Sequence, residues 1–90
     1  IGQKFAAFGW QVIEVDGHDP DALVAAFAAA RTASEATGAP SVLVASTVKG
    51  KGVSFMENNA GWHGKAPSTD ETEQAGTELR AVIAQEAANV

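Results

Sequence analysis

Two apolar runs flank one helical stretch in the first half of the chain. Residues 10–16 are rich in β-branched and aromatic side chains and end at a glycine, which predicts a strand. A helix is predicted over residues 20–37, because Asp19 is a good N-cap before Pro20 and Gly38 can close the last turn in the left-handed conformation. A second strand is predicted over residues 41–47. Strand, helix and strand at this spacing predict a βαβ crossover.

The apolar positions of the helices predict which faces are covered. The stripe predicted for the first helix consists of Leu23, Phe27, Ala30 and Ser34, with Val24 and Ala26 beside it. A last helix is predicted to follow Ser68, because Ser68 and Glu71 have the spacing of a capping box. Its predicted stripe consists of Ala75, Leu79, Val82 and Ile83, continuing to Glu86–Ala87.

The second strand is almost continuously apolar, which is typical of a parallel strand buried on both faces. Two such strands alone would leave both outer edges unpaired. The predicted fold is therefore α/β: a βαβ unit plus a C-terminal helix, forming a slice of a larger parallel-sheet domain. We expect residues 1–90 to be the C-terminal segment of that domain, with Ile1 lying inside a longer pattern.

Charge and composition narrow the possible functions. The net charge of −5 argues against a basic nucleic-acid-binding surface. Three of the lysines nevertheless lie close together at Lys49, Lys51 and Lys65, which favours an anionic small molecule. The chain has no cysteine, and its two histidines are not spaced as metal ligands. Neither a membrane span nor a secretory signal is indicated.

The long segment after the second strand is the main candidate for chemistry. Ligands of open α/β sheets bind beyond the C-terminal ends of the strands, where two loops qualify, Gly17–Asp19 and Lys49–Pro67. Gly50 and Gly52 would let the backbone approach a ligand, and Lys49 and Lys51 would supply positive charge. The spacing is not that of a P-loop, and a solvated turn is the alternative interpretation of these four residues alone.

His63 is the sharper candidate, since it lies between Trp62 and Gly64 in a segment without helical or strand periodicity. A fixed imidazole can donate a hydrogen bond to a phosphate or transfer a proton near neutral pH. The alternative is an ordinary surface histidine. For His18, beside the helix start, a capping or packing role is the favoured interpretation.

Several motifs together resemble transketolases. These are the segments Asp16–Asp19, Lys49–Gly52, Phe55–Asn59 and Trp62–Lys65, in the order and spacing of the thiamine-diphosphate-binding domain. The Phe55–Asn59 segment is especially similar to the split bacterial form, in which this domain is a separate subunit. The resemblance implies that His63 lies beside the cofactor diphosphate and the donor substrate. It also implies that Lys49 lies in the cofactor pocket, as the matching lysine does in some members, and we expect Gly50, Gly52 and Gly64 to give clearance for the cofactor there.

The same resemblance implies an activity and partners. The expected reaction is transfer of a two-carbon ketol unit from a ketose phosphate to an aldose phosphate, in the cytoplasmic pentose phosphate pathway, with thiamine diphosphate and Mg²⁺. The Gly-Asp-Gly segment that holds the metal in this family is absent here, so we expect the metal ligands outside this chain. The partners would be the rest of the diphosphate-binding domain and a pyrimidine-binding subunit or domain. Alternatives are a fragment of a 1-deoxy-D-xylulose-5-phosphate synthase and a non-catalytic interaction subunit.

Overall fold

The computed structural model describes residues 1–89, which form two compact units, residues 1–47 and the segment from Val48 onward. The first unit contains helix α1 (Gly2–Ala7), strand β1 (Gln11–Asp16), helix α2 (Pro20–Thr37) and strand β2 (Ser41–Ser46). The strands pair in parallel, in register from Gln11 opposite Ser41 to Asp16 opposite Ser46. The α/β class, the βαβ order and both strands are confirmed, each strand being one residue shorter than predicted.

Helix α1 was not predicted, and because of it Trp10 lies outside the strand to which the prediction assigned it. The backbone N–H of Trp10 donates to the Phe5 carbonyl (3.2 Å), and the two rings meet edge to face with centroids 5.2 Å apart. Trp10 therefore belongs to the turn after α1, and the strand starts one residue later. A six-residue helix without a side-chain cap leaves too short a pattern to be read from the sequence.

Both ends of α2 are as predicted. The Asp19 carboxylate accepts a hydrogen bond from the backbone N–H of Ala22 at 3.1 Å, and Pro20 occupies the first helical position. At the other end, Gly38 adopts φ 71° and donates its N–H to the Ser34 carbonyl. These caps explain why the helix has the predicted bounds.

The predicted stripe of α2 is wrong in part. Ala26 is buried and Leu23 and Ala30 are half-buried, but Val24 is 70% exposed, Phe27 is 65% exposed and Ser34 is also exposed. Helix α2 contacts both strands, and the small side chain of its buried residue Ala26 lets the helix backbone come close to them. The helical spacing of Leu23, Phe27, Ala30 and Ser34 therefore predicted a stripe that differs in part from the covered face.

The second unit consists of a long loop, a short 3-10 helix (Ala60–Trp62) and helix α3 (Thr69–Ala88). The capping box is confirmed: the Ser68 hydroxyl accepts from the Glu71 N–H (3.2 Å), and the Glu71 carboxylate accepts from the Ser68 N–H (2.8 Å). The stripe of α3 is covered only near its start. Ala75 is half-buried, whereas the exposed fractions of Leu79, Val82 and Ile83 are 42, 44 and 65%.

Burial is slight throughout. Among residues 1–89, only Ala26 and Val53 are buried apolar residues. The expectation that both strands are fully buried is not met within the described residues, where strand positions are half-buried or exposed. No helix in this range is long and apolar enough to cross a lipid bilayer.

Candidate functional site

The loop that follows Val48 begins with a closed turn. The backbone N–H of Asn58 donates to the Lys49 carbonyl at 2.8 Å, which brings the two ends of the turn together. Gly50 adopts φ 72°, and a Cβ at this position would lie 2.6 Å from the carbonyl oxygen of Met56. Gly50 is therefore required by the turn itself, both for its backbone conformation and for its close approach to Met56.

Gly52 also has an intramolecular role. Its φ is 94°, and its N–H donates to Oε1 of Glu57 at 3.0 Å. A Cβ on Gly52 would lie 3.0 Å from Cδ2 of Leu79 in α3. Its amide proton is thus engaged within the loop, and its lack of a side chain lets the loop lie against the helix.

The loop is joined to α3 by polar contacts that the sequence did not indicate. Both the N–H and the hydroxyl of Ser54 donate to the Glu78 carboxylate, at 2.8 and 2.6 Å. The Ser54 hydroxyl, followed by the Ser54 N–H, lowers the pKa of Glu78 below its ordinary value. The two partners are 24 positions apart in the sequence, which left no local pattern from which to predict this pairing.

Lys49 and Lys51 provide the accessible positive charge of the turn. Both side chains are exposed, and neither has an acidic partner among the described residues. Lys65 differs, because its ammonium lies 4.2 Å from the centroid of the Trp62 ring in a cation–π contact. Two of the three clustered lysines are therefore available to an anion without first breaking a contact.

Trp62 fixes the backbone next to His63. Its indole N–H donates to the Phe55 carbonyl at 3.0 Å, and its ring packs on Phe55 with centroids 5.4 Å apart. The backbone N–H of His63 donates to the Ala60 carbonyl at 3.0 Å and ends the 3-10 helix. The structure thus confirms that Trp62 is anchored.

The His63 side chain itself is exposed and has no hydrogen-bond partner in the described part of the chain. Gly64 follows with φ 82°, and a Cβ there would meet nothing within 4 Å. An imidazole on a fixed backbone with open space beside it can bind an external anionic group. His18 lies in the other unit, just before the Asp19 cap. Its backbone N–H donates to Asp16 Oδ1 at 2.9 Å.

The match to known proteins is extensive. Residues 1–85 match the family described as the transketolase, thiamine diphosphate binding domain. The chain belongs to this family. One subunit of the apulose-4-phosphate transketolase of Phocaeicola vulgatus is 36% identical over 76 residues, which are 84% of this chain and 26% of that protein. Human transketolase is 36% identical over 81 residues, which are 90% of this chain and 12% of that protein.

A third relative, like the first, is named as a subunit of a transketolase. The 6-deoxy-6-sulfo-D-fructose transketolase subunit SqwG of Clostridium sp. is 41% identical over 63 residues, covering 70% of this chain and 22% of that protein. The chain thus spans about a quarter of the length of the subunit relatives it matches. The family gives the cofactor class, thiamine diphosphate.

The donor groups of the transketolase loop fit the diphosphate of this cofactor. A diphosphate requires positive charge and hydrogen-bond donors, which the unpaired Lys49 and Lys51 and the free imidazole of His63 can supply. Within residues 1–89, no three His, Cys, Asp or Glu side chains are grouped closely enough to hold a metal ion. The residues present therefore suit the anionic part of the cofactor.

Proposed function

We propose that this chain is the C-terminal segment of the diphosphate-binding domain of a transketolase, which transfers a two-carbon ketol unit from a ketose phosphate to an aldose phosphate. The observation that carries the proposal is the fixed loop from Lys49 to Gly64, which combines unpaired lysines with an exposed, backbone-anchored histidine. The family match over residues 1–85 supports thiamine diphosphate as the ligand of this loop.

The residues of the loop would have different roles. Lys49 would contribute positive charge toward the diphosphate, assisted by Lys51. His63 would donate a hydrogen bond to the diphosphate and hold or release a proton beside the donor sugar. Gly64 would leave room for the ligand, while Gly50 and Gly52 would act mainly through the shape of the turn.

When bound, thiamine diphosphate supplies the carbanion chemistry of ketol transfer, and the protein supplies binding and orientation. For this chain the proposed contribution is limited to the diphosphate end and to proton handling at His63. We propose that Mg²⁺ is held by residues outside this chain. The family match supports thiamine diphosphate binding, and the proposal extends this to a metal ion.

The proposal includes partners. Relatives are named as subunits of transketolases, and this chain spans about a quarter of their length. We propose that it works with the remainder of the diphosphate-binding domain and with a pyrimidine-binding subunit or domain, on sugar phosphates in the cytoplasm. The exposed apolar side chains on α2 and α3 are consistent with partner surfaces.

The test is replacement of His63 by alanine in the complete assembly. General acid–base assistance is worth about 10²–10⁴-fold in rate, so His63→Ala should lower turnover at least tenfold or weaken cofactor or donor binding comparably. Steady-state kinetics with saturating cofactor, together with a thiamine diphosphate titration, would measure both effects. The matched control is His18→Ala, which leaves the Asp19 cap in place. Near-wild-type activity for both variants would remove His63 from the site.

A further inference from the structure

One acidic side chain outside the closed turn from Lys49 to Asn58 accepts two hydrogen bonds from a residue within it. Glu78 lies on α3, and its carboxylate accepts from both the N–H and the hydroxyl of Ser54 at 2.8 and 2.6 Å. Hydrogen bonds to an ionised carboxylate are stronger than neutral ones. This contact ties the loop to a capped helix of 20 residues, which is a stiffer element than the loop.

Ser54 is well placed to transmit this restraint to the lysines. It follows Val53, one of the two buried apolar residues within residues 1–89, whose N–H donates to the Gly50 carbonyl at 3.2 Å. The Val53 carbonyl in turn accepts from the N–H groups of Met56 and Glu57 at 2.9 and 3.0 Å. The backbone on either side of Gly50 is thus connected to Ser54 through a short series of hydrogen bonds.

We infer that Glu78 is a positioning residue for diphosphate binding, which acts through Ser54 to hold the turn from Lys49 to Asn58 in its closed shape. This role rests on the proposed function, because it assumes that the turn receives the cofactor diphosphate. Glu78 is not expected to touch the cofactor. Its negative charge is engaged by Ser54, so it holds the loop without pairing with either lysine.

The expected effect follows from pre-organisation. When only a fraction of molecules has the binding-competent shape, the apparent Kd rises by the inverse of that fraction. If loss of the Ser54–Glu78 contact left about one molecule in ten with a closed turn, the Kd for thiamine diphosphate would rise about tenfold. Turnover with saturating cofactor would change little, because the ligand would restore the closed shape.

The experiment compares four variants in the complete assembly: Glu78→Ala, Glu78→Gln, Ser54→Ala and the control Glu73→Ala. Glu73→Ala removes the same charge from α3, but the Glu73 carboxylate has no hydrogen bond or ion pair among the described residues. Glu78→Gln keeps one acceptor oxygen and should rescue part of the affinity. The measurements are the Kd for thiamine diphosphate, the turnover number with saturating cofactor, and hydrogen exchange of the Val53 and Asn58 amides.

The expected result is a Kd raised about tenfold by Glu78→Ala and less by Glu78→Gln and Ser54→Ala, with faster exchange at both amides. Glu73→Ala should match the wild type. An unchanged Kd in Glu78→Ala, whether or not exchange is faster, would overturn the inference. An equal increase with Glu73→Ala would also overturn it, because charge alone would then explain the effect. Absence of thiamine diphosphate binding by the wild-type assembly would overturn the proposed function, and this role with it.

Discussion

The two units of the chain are stabilised in different ways. Residues 1–47 form regular structure, with a parallel strand pair in register over six residues and a helix capped at both ends. In the segment from Val48 onward, the loop before α3 is held by separate polar contacts, such as one hydrogen bond from Asn58 to Lys49, one from Gly52 to Glu57 and two from Ser54 to Glu78. Among the described residues of this segment, Val53 is the one buried apolar residue.

This difference bears on where function can be altered by one substitution. In the first unit the backbone hydrogen bonds of a ladder or helix are redundant, and a single side chain contributes only part of the stability. In the loop each turn depends on one glycine or one carboxylate, so one change can alter the arrangement of the candidate site. Candidate chemistry on a loop that is positioned by more rigid elements is a common arrangement in proteins.

The largest expected effect is on autonomous folding. We expect the isolated 90-residue chain to lack a cooperative unfolding transition, because Ala26 and Val53 are the only buried apolar residues described. Urea denaturation followed by tryptophan fluorescence would test both units, since Trp10 reports on the first and Trp62 on the second. Trp10→Phe and Trp62→Phe variants would separate the two signals. A single monomeric transition worth several kcal/mol and seen by both tryptophans would contradict this expectation.

In the first unit, the sequence predicted β1, α2 and β2 from local signals but missed α1. Asp19, Pro20 and Gly38 are strong helix boundary signals, and the apolar residues between 41 and 46 are strong strand signals. The faces of α2 were predicted less well, because the alanine side chains that face the sheet carry little hydrophobic signal. The exposure of Val24 and Phe27 could not be predicted from their apolar character and helical spacing.

In the second unit, the sequence predicted a contact between near neighbours but not a contact between distant residues. The capping box at Ser68 was predicted because its partner is three residues away. The pairing of Ser54 with Glu78 was missed because it joins residues 24 positions apart. The resemblance of the loop to transketolases indicated Lys49 and His63 as site residues, whereas the structural role of Gly50 depends on its close approach to Met56, which no sequence pattern indicates.

The next effect is local and tests the dependence of the loop on one glycine. Gly50→Ala would place a Cβ 2.6 Å from the Met56 carbonyl oxygen in a backbone conformation with φ 72°, so the turn must shift. A strained backbone position of this kind costs about 1–3 kcal/mol, and the clash places Gly50→Ala toward the upper end. The measurement is the opening free energy of the Asn58 amide from hydrogen exchange in the assembly.

Gly64→Ala is the matched control for Gly50→Ala. Its φ of 82° is equally unfavourable for alanine, but a Cβ there would meet nothing within 4 Å. Its cost should therefore be about 1 kcal/mol from backbone strain alone, without opening at Asn58. Equal protection of the Asn58 amide in the wild type and Gly50→Ala would show that the close approach to Met56 does not hold the turn.

The smallest expected effect is a pH dependence confined to the second unit. The Ser54 hydroxyl and then the Ser54 N–H lower the pKa of Glu78 in the folded state, so the unfolded state binds a proton more readily. The contribution of this contact is therefore present above the ordinary glutamate pKa and is lost as the pH falls through the lowered one. Hydrogen exchange at pH 3 to 6, corrected for intrinsic rates, should show selective loosening of the Val53 amide in the wild type. In Glu78→Gln, which cannot titrate, this extra loosening should be absent; the same acid response in both proteins would assign it to other carboxylates.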